Sequence, residues 1–551
     1  MTSVDSPSPW WEDPVSQAVL PSQTWTRFDL PTVVLDTVLR SPRVRAVTRA
    51  AQIMNERVIQ QDAAFDTRWV MESAYGLTND PVGNSLVTGG PPRLRERNFD
   101  TSAGIRRDSR SGRTYDLSQQ LGLLRSNSQF FEPQNQGNAR LNLSISQPLM
   151  AGRGDFYNSR LVMQAQIDGE LSWQDMRREI AQRVADVMTA FYQLHAGRCR
   201  YVQQQALIKR GDSIEQALDG RQGFDVSDLE LAKIRQRTLA RRAQQVQDET
   251  NVRITENRLR YLIGVTDNES GGGDEEWIPV LGDSAVPHET APELADAMRT
   301  ALEFRPEVAS ALADIESAAL GVRVTRHELQ PRLDAVFNGY LAGLNGNNAA
   351  FRSFGDQFFE SGPGVSATLQ YELPYRNRAA RSRYREAHLR YQQAAAAMDE
   401  AVAKIRADVQ DALVRLETSR KLLVGQRQTL NAALQEEQLQ TMRYTALGPE
   451  NSPAGVVLEN LLESQQRRTD AERAVVTARA NHQIAWVDLQ AAMGTILVTQ
   501  GVAPERVGCC GEIQLQADAL LGPMAVGDPP PTEVTLESPI RDATVSMEAP
   551  D

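Results

Sequence analysis

Residues 364–378 read GVSATLQYELPYRNR, and this stretch and the residues that follow it decide the fold. Apolar and polar side chains alternate from Val365 to Leu373, which is the period of a half-buried β-strand, and Pro374 ends it. No further proline occurs until Pro449, and the apolar residues change to steps of three and four. That spacing predicts a helix packed against other helices. Its apolar positions are Ala387, Tyr391, Ala394, Met398, Ala401, Ile405, Val409, Ala412 and Leu416.

A helix from Asn377 to Ala446 would be about 100 Å long at about 1.5 Å per residue, which is much longer than an ordinary globular domain needs. The sequence LGPENSPAG at residues 447–455 then predicts a turn, after which a second helix runs back to about Met493. Gly494 is suited to cap that helix. The predicted unit is therefore a strand, a very long helix, a tight turn and a returning helix.

The first half of the chain repeats this unit. Residues 141–147 alternate in the same way before Pro148, and a helical hairpin follows that ends at Gly264, the counterpart of Gly494. Proline breaks in two short helical segments, RSPRV at 40–44 and FRPEV at 304–308, set the alignment of the halves. Aligning the two prolines also aligns the strands that follow them, as an internal duplication requires. The four predicted strands are 69–77, 141–147, 333–341 and 365–373.

These patterns divide the chain into five parts. We expect loops within the repeats at 78–139, which is rich in Gly, Asn, Ser and Arg, and at 345–362. The composition of the last part predicts a disordered tail. The parts are an N-terminal arm at 1–28, a first repeat at 29–264, a linker at 265–290, a second repeat at 291–494 and the tail at 495–551.

Composition and charge limit the possible functions. The 551 residues are 41% hydrophobic and carry a formal net charge of -12, which argues against nucleic acid as the partner. There is no run of about 18 apolar residues, so a membrane-spanning helix is excluded, whereas strands in a closed barrel are not. The opening MTSVDSPSPWWEDPVSQAVL has neither the basic nor the apolar region of a secretory signal.

We expect neither catalysis nor a cofactor or metal site. The cysteines, Cys199 and the adjacent Cys509 and Cys510, form no disulfide framework and no metal-binding spacing, and the five histidines are scattered. No nucleophile, base or metal cluster occurs at a meaningful spacing. The chain is therefore not expected to be an enzyme.

Four half-buried strands and several very long helices need partners beyond a single chain. A two-stranded hairpin cannot satisfy its own edges, so the strands must pair with others, most simply with those of identical chains. A ring of chains would give a barrel of strands continued by a tube of helices. The alternative is a soluble or periplasmic coiled-coil scaffold, which explains the helices but not the strands. A periplasmic adaptor would carry one hairpin beside a lipoyl-like domain, whereas here the unit occurs twice.

Several motifs resemble those of the TolC family of outer-membrane efflux proteins: LSISQPLMAGRGD at 143–155, LQYELPYRNRAARSR at 369–383, the FRPEV break, and hairpins that end in YLIG and AAMG. The resemblance covers about 29–494. It implies a mostly α-helical homotrimer with internal duplication, in which each chain gives four strands to a shared twelve-stranded outer-membrane barrel and its helices to a periplasmic tunnel. It also implies a periplasmic adaptor and an inner-membrane pump as partners, in a tripartite efflux or type I secretion system.

The resemblance further implies a charged gate at the periplasmic end of the tunnel. Glu463 falls where the family often has an aspartate, Asn460 falls where its other acid stands, and Glu230 is the corresponding acid of the first half. Tyr444 matches an aromatic near the closed tip. A three-fold ring of carboxylates would attract cations and raise its own pKa by mutual repulsion. The alternative is that Glu230 only caps its helix and Glu463 lies on a solvated face.

Two further sets of residues follow from the same comparison. The turns at the open end of the helical hairpins are the predicted adaptor-docking sites, although any hairpin needs turn residues there. Trp69 and Tyr371 are predicted interfacial aromatics of the barrel, with packing between strands as the alternative role. The predicted docking residues are Phe224, Val226, Ser227, Pro453, Gly455 and Val456.

Overall fold

The computed structural model describes most of the chain as long helices and one large antiparallel sheet. The described residues are 9–22, 24–84, 86, 88–219, 228–265, 275–281, 291–360, 362–446, 454–507 and 512–517. The elements of the first half are α1 (Glu12–Val15), β1 (Thr24–Phe28), α2 (Leu30–Arg40), α3 (Pro42–Asp62), β2 (Arg68–Pro81), β3 (Arg93–Asp108), β4 (Thr114–Ser126), β5 (Asn135–Pro148), α4 (Asp155–Asn158), α5 (Arg160–Asp219) and α6 (Asp228–Ile263). The elements that follow are β6 (Glu275–Pro279), α7 (Leu294–Phe304), α8 (Pro306–His327), β7 (Arg332–Gly346), α9 (Ala350–Phe359), β8 (Gly364–Glu372), α10 (Arg378–Ala446), α11 (Ala454–Ala492), α12 (Ile496–Thr499), β9 (Val502–Val507) and β10 (Glu512–Ala517).

Two helical hairpins, α5–α6 and α10–α11, form the long part of the molecule. With 60 residues in α5 and 69 in α10, these helices are about 90 Å and about 100 Å long. The prediction of a helix from Asn377 to Ala446 is confirmed. On α5 the apolar residues at steps of three and four are fully buried against α2, α3, α6 and α11, as their spacing predicts. They are Ile180, Val184, Val187, Phe191 and Leu194.

Each hairpin ends at a glycine that packs against the proline break of its own half. Gly264 has φ 86° and Gly494 has φ 73°, the left-handed conformation of a glycine that follows a helix. A side chain at Gly264 would collide with Pro42, and one at Gly494 would meet the backbone of Arg305. The same close contact therefore occurs once in each repeat, and it requires glycine in both.

The repeats keep the predicted alignment through the strands. α3 and α8 begin at Pro42 and Pro306, and β2 and β7 begin at Arg68 and Arg332. Both pairs have the same offset in the sequence. The duplication is therefore visible in the order and in the spacing of the elements.

The sheet contains six strands, in the order β2-β3-β4-β5-β7-β8, instead of the four predicted for one chain. The predicted loop at 78–139 was wrong, because β2 continues to Pro81, β5 begins at Asn135, and β3 and β4 form a hairpin between them. The sequence of β3 and β4 is polar because only one face of these strands is apolar. Arginines also occupy the ends of the two strands that are distant from the long helices. Gly112, with φ 88°, lies in the turn of the inserted hairpin.

The predicted loop at 345–362 was also wrong in part. It contains α9, a helix of ten residues that follows β7 and packs on β4, β5 and β7.

The N-terminal arm and the linker are joined to the first hairpin. β1 in the arm pairs in parallel with β6 in the linker. Glu276 in β6 forms an ion pair at 2.5 Å with Arg198 of α5, and both side chains are completely buried. The Glu276 carboxylate also accepts hydrogen bonds from the backbone N–H groups of Val19 and Leu20, at 3.0 and 3.2 Å.

The predicted disorder of the C-terminal tail was wrong for its first part. α12 follows the second hairpin, and β9 and β10 form an antiparallel pair. Residues 518–551, together with Cys509 and Cys510, lie outside the described residues.

Candidate functional site

The six-stranded sheet has one apolar face and one polar face. Every register pair joins residues of equal parity, so the odd-numbered residues of all six strands share a face. We call it the apolar face, and it runs without interruption from β2 to β8. Its large apolar residues are Trp69, Met71, Tyr75, Leu77, Phe99, Ile105, Leu117, Leu121, Leu123, Leu141, Leu143, Ile145, Phe337, Leu341, Val365, Leu369 and Tyr371.

The even-numbered residues form a face of charged and amide side chains that bond to one another. Arg106 pairs with Asp116 at 2.7 Å, and Ser144 donates a hydrogen bond to Asn338 at 2.7 Å. A sheet with one apolar and one polar face is suited to apolar surroundings on one side and to water on the other.

The predicted aromatics lie on the two edge strands. Trp69 on β2 is 81% exposed and Tyr371 on β8 is 57% exposed. Both residues are on the apolar face, at the end of the sheet from which the helices continue. This exposure argues against packing between strands of the same chain, while their interfacial role stays a prediction.

At the other end of the molecule, the tips of the two helical hairpins meet in an apolar cluster. Leu218 of α5, Leu231 and Ile234 of α6, and Leu458 and Leu462 of α11 are buried together. The predicted gate residue Tyr444, near the end of α10, is half-buried against this cluster. The role of Tyr444 as part of a gate stays a prediction.

Glu463 lies on the exposed surface of α11 and is held by arginine. Its carboxylate pairs with Arg467 at 2.6 Å, and Arg467 also pairs with Glu436 of α10 at 2.5 Å. The hydrogen bond from Arg467, and then its positive charge, lower the pKa of Glu463. Within one chain the pKa therefore shifts in the direction opposite to that expected for a ring of unpaired carboxylates.

The neighbouring acid Glu459 joins the two hairpins. Its oxygens lie 3.7 Å from Lys233 Nζ and 3.3 Å from Arg237 Nη2, both on α6. Asn460 follows it and is half-buried. The tip of the molecule thus carries carboxylates that are matched by cations of the same chain.

The remaining predicted site residues are only partly placed. Glu230 lies in the first turn of α6, and Gly455 and Val456 lie in the first turn of α11, where Val456 is 53% exposed. The side chain of Glu230 is outside what the structure describes. The predicted docking residues Phe224, Val226, Ser227 and Pro453 lie outside the described residues.

A partly buried network of ion pairs, one pair between the two hairpins and one within the second hairpin, was not predicted from the sequence. Arg473 of α11 contacts Asp248 of α6 at 2.6 Å, and Arg468 of α11 contacts Glu437 of α10 at 2.5 Å. Arg241 of α6 is buried nearby, and burial, followed by the charges of neighbouring arginines, lowers its pKa to about 10. Helical spacing did not reveal this network because its members lie on different helices.

None of the helices in the part of the chain that the structure describes is both long enough and apolar enough to cross a membrane.

Comparisons with known proteins point to one family. The family model described as outer membrane efflux protein matches residues 297–495. No curated protein matches the chain by sequence. Three solved structures share the fold at 14% identity. They are the outer-membrane channel OprN (TM-score 0.59, covering 84% of this chain and 89% of that chain), CusC, which forms a transmembrane channel (0.62, 87% and 96%), and the outer membrane protein VceC from Vibrio cholerae (0.58, 84% and 96%).

The family match covers most of the second repeat, and the structural matches cover both repeats. The second repeat thus matches the outer membrane efflux protein family, and the chain as a whole shares the fold of these solved outer-membrane proteins.

Proposed function

We propose that this protein is the outer-membrane channel of an efflux or type I secretion system, a passive exit duct through which substrates leave the cell. The observation that carries the proposal is the uninterrupted apolar face of the sheet, which is joined by short segments to helices of about 90 to 100 Å. A sheet of this kind suits a membrane, and helices of this length suit a duct that continues into the periplasm.

The dimensions of the sheet support a membrane location. On β2 the apolar residues of the apolar face run from Trp69 to Leu77, and a transmembrane β-strand needs about 9 to 11 residues at a tilt of about 45°. The polar face would then line a water-filled lumen. We infer that the protein lies in the outer membrane with its helices in the periplasm.

The edges of the sheet and one helix surface support a homotrimer. β2 and β8 each have a single partner strand among the described residues, so each offers a free edge to another chain. α6 carries a row of exposed apolar side chains at steps of seven and eight, the spacing of a helix seam that lacks its partner. The row is Leu239, Val246, Ile254 and Tyr261. Three chains with six strands each would close into a barrel of eighteen strands.

The partners that we propose are a periplasmic adaptor and an inner-membrane pump, which supplies the energy. The adaptor would dock at the tips of the helical hairpins, where Val456 is exposed. The same tips hold Glu463 and Tyr444, the residues that we propose for the gate.

The test is the mass and the conductance of the detergent-extracted protein. We expect a mass of three chains, recovery from the outer-membrane fraction, and ion conductance after insertion into planar lipid bilayers. A soluble monomer or helical dimer without conductance would overturn the channel and would favour the coiled-coil scaffold.

A further inference from the structure

Helix α9 presents its polar side to the protein and its aromatic side to the surroundings. Ser353 and Gln357 are completely buried, whereas Phe351 is 87% exposed and Phe359 is 90% exposed. A helix on the surface of a water-soluble domain has the opposite arrangement. The surroundings of α9 are therefore expected to be apolar.

The sheet is shaped to receive the polar side of α9. Ser353 Oγ donates a hydrogen bond to the carbonyl of Gly137 at 2.7 Å, and Gln357 Nε2 donates to Gln119 Oε1 at 3.1 Å. A side chain at Gly137 or Gly343 would collide with the backbone of α9 or the residue before it. The glycines let α9 approach the sheet closely, and the hydrogen bonds of its polar side chains hold it there in one orientation.

The seat lies on the apolar face, near the end of the sheet that is far from the long helices. Gly137, Gly343 and Gln119 are odd-numbered and belong to that face. In register terms Gly137 pairs with Leu123, and the next pair on the same face, Asn135 with Arg125, is polar. α9 therefore lies where the apolar residues of this face give way to polar ones, toward the end of the sheet that is far from the long helices.

A row of arginines marks that limit. Arg97 pairs in register with Arg125, and Arg95 precedes them on the same face. All three residues are exposed. Guanidinium groups at the edge of an apolar band are suited to the phosphates of lipid headgroups.

We propose that α9 is an interfacial helix that inserts its phenylalanines among the acyl chains of the bilayer, just below the headgroups. This inference rests on the proposed membrane location of the sheet. Phe354 and Phe358, whose ring centroids are 5.6 Å apart, continue the aromatic surface from Phe351 toward the sheet. Amphipathic helices that lie in the plane of an interface use Phe and Leu in this way.

The test places a nitroxide spin label on α9 and measures its collisions with oxygen, which enters lipid, and with a water-soluble nickel chelate. Phe351→Cys and Phe359→Cys would be made in a chain whose three native cysteines are replaced, and the labelled protein would be reconstituted into vesicles of phosphatidylethanolamine and phosphatidylglycerol. Leu369→Cys, on the apolar face of β8, is the matched lipid control. Arg299→Cys, an exposed position on α7, is the water control.

We expect the ratio of oxygen to nickel collisions at Phe351 and Phe359 to lie within about twofold of that at Leu369 and several-fold above that at Arg299. If Leu369 is protected from nickel, the membrane location of the sheet stands, and either of two results at α9 would then overturn only the inference about α9. One is nickel access at Phe359 equal to that at Arg299. The other is access to neither reagent, which would mean that a second copy of the chain covers the phenylalanines. Nickel access at Leu369 would overturn the membrane location itself.

Discussion

Arg198 and Glu276 form an ion pair that is completely shielded from solvent and ties the linker and the N-terminal arm to α5. Breaking a buried pair by removing one partner leaves an uncompensated charge in the interior, which costs about 3 to 5 kcal/mol. The pair thus connects three segments that are far apart in the sequence.

We predict that Arg198→Met lowers the free energy of unfolding by about 3 to 5 kcal/mol, because Glu276 remains buried without its cation. Adding Glu276→Gln should recover much of the loss. The measurement is thermal unfolding followed by far-UV circular dichroism. Arg43→Met is the control, since it removes only an exposed pair with Glu179, and it should change the melting temperature little. A double variant no more stable than the single one would contradict this account.

Glu463 and Glu436 share one arginine, which makes them a matched pair for testing the gate. If Glu463 faces the lumen, Glu463→Gln should lower the preference of the channel for cations in planar bilayers, and Glu436→Gln should not. The bond from Arg467 lowers the pKa of Glu463. Its charge is present above that pKa and is lost as the pH falls through it, so the effect of Glu463→Gln should persist below the usual glutamate pKa of about 4.3. Equal effects of the two variants would remove Glu463 from the gate.

At the scale of the elements, α9 depends on the absence of a side chain at Gly343. We predict that Gly343→Val lowers the free energy of unfolding by about 1 to 3 kcal/mol, the usual cost of overpacking, because its side chain would collide with the carbonyl of Ser353. Gly339→Val is the control on the same strand and face, where a Cβ would meet only the ring of Phe337 at 3.8 Å. Heat stability of the extracted protein on gels is the readout. Two variants of equal stability would show that α9 is not held by this contact.

The long elements and the duplication were predictable from the sequence, whereas the inserted hairpin and α9 were not recognised. α10 and the buried stripe of α5 have regular periods over many residues, so their patterns are clear. In β3 and β4 the apolar residues lie on one face only, and arginines interrupt their alternation with polar residues. Gly112 nevertheless marks the turn between the two strands. The pattern of α9 is hard to read because its buried residues are the polar ones.

The candidate site was predictable in position but not in its contacts. The tips follow from the helix lengths, and the spacing of Glu463 and Arg467 is that of a helical ion pair. The links from Glu459 to α6, and from Arg467 to α10, join residues distant in the sequence. Helical spacing relates residues of one helix only, so a single sequence gives no signal for these contacts between helices.

At the scale of the whole molecule, the free edges of β2 and β8 should pair between chains. We predict that cysteines placed on β2, at Trp69 or Met71, combined with one on β8, at Leu369, form disulfides between chains and yield a covalent trimer on denaturing gels. The register between chains is found by scanning these positions. Leu117→Cys on the central strand β4, combined with Leu369→Cys, should give no such species. Absence of cross-linking at every β2 position would contradict closure through these edges.

The hairpin of β3 and β4 also widens the part of the barrel wall that one chain would form. This width can be compared with that of the helices joined to the sheet. Strands about 4.8 Å apart and tilted by about 40° occupy about 6.3 Å of circumference each, so six strands span about 38 Å. Four helices, α3, α5, α8 and α10, are joined to the sheet by short segments, and side by side at about 10 Å each they would span about 40 Å. Four strands would span only about 25 Å. In the proposed trimer, the extra hairpin would therefore match the perimeter of the strand layer to that of the helix layer, and the proposed duct would keep the same width from strands to helices.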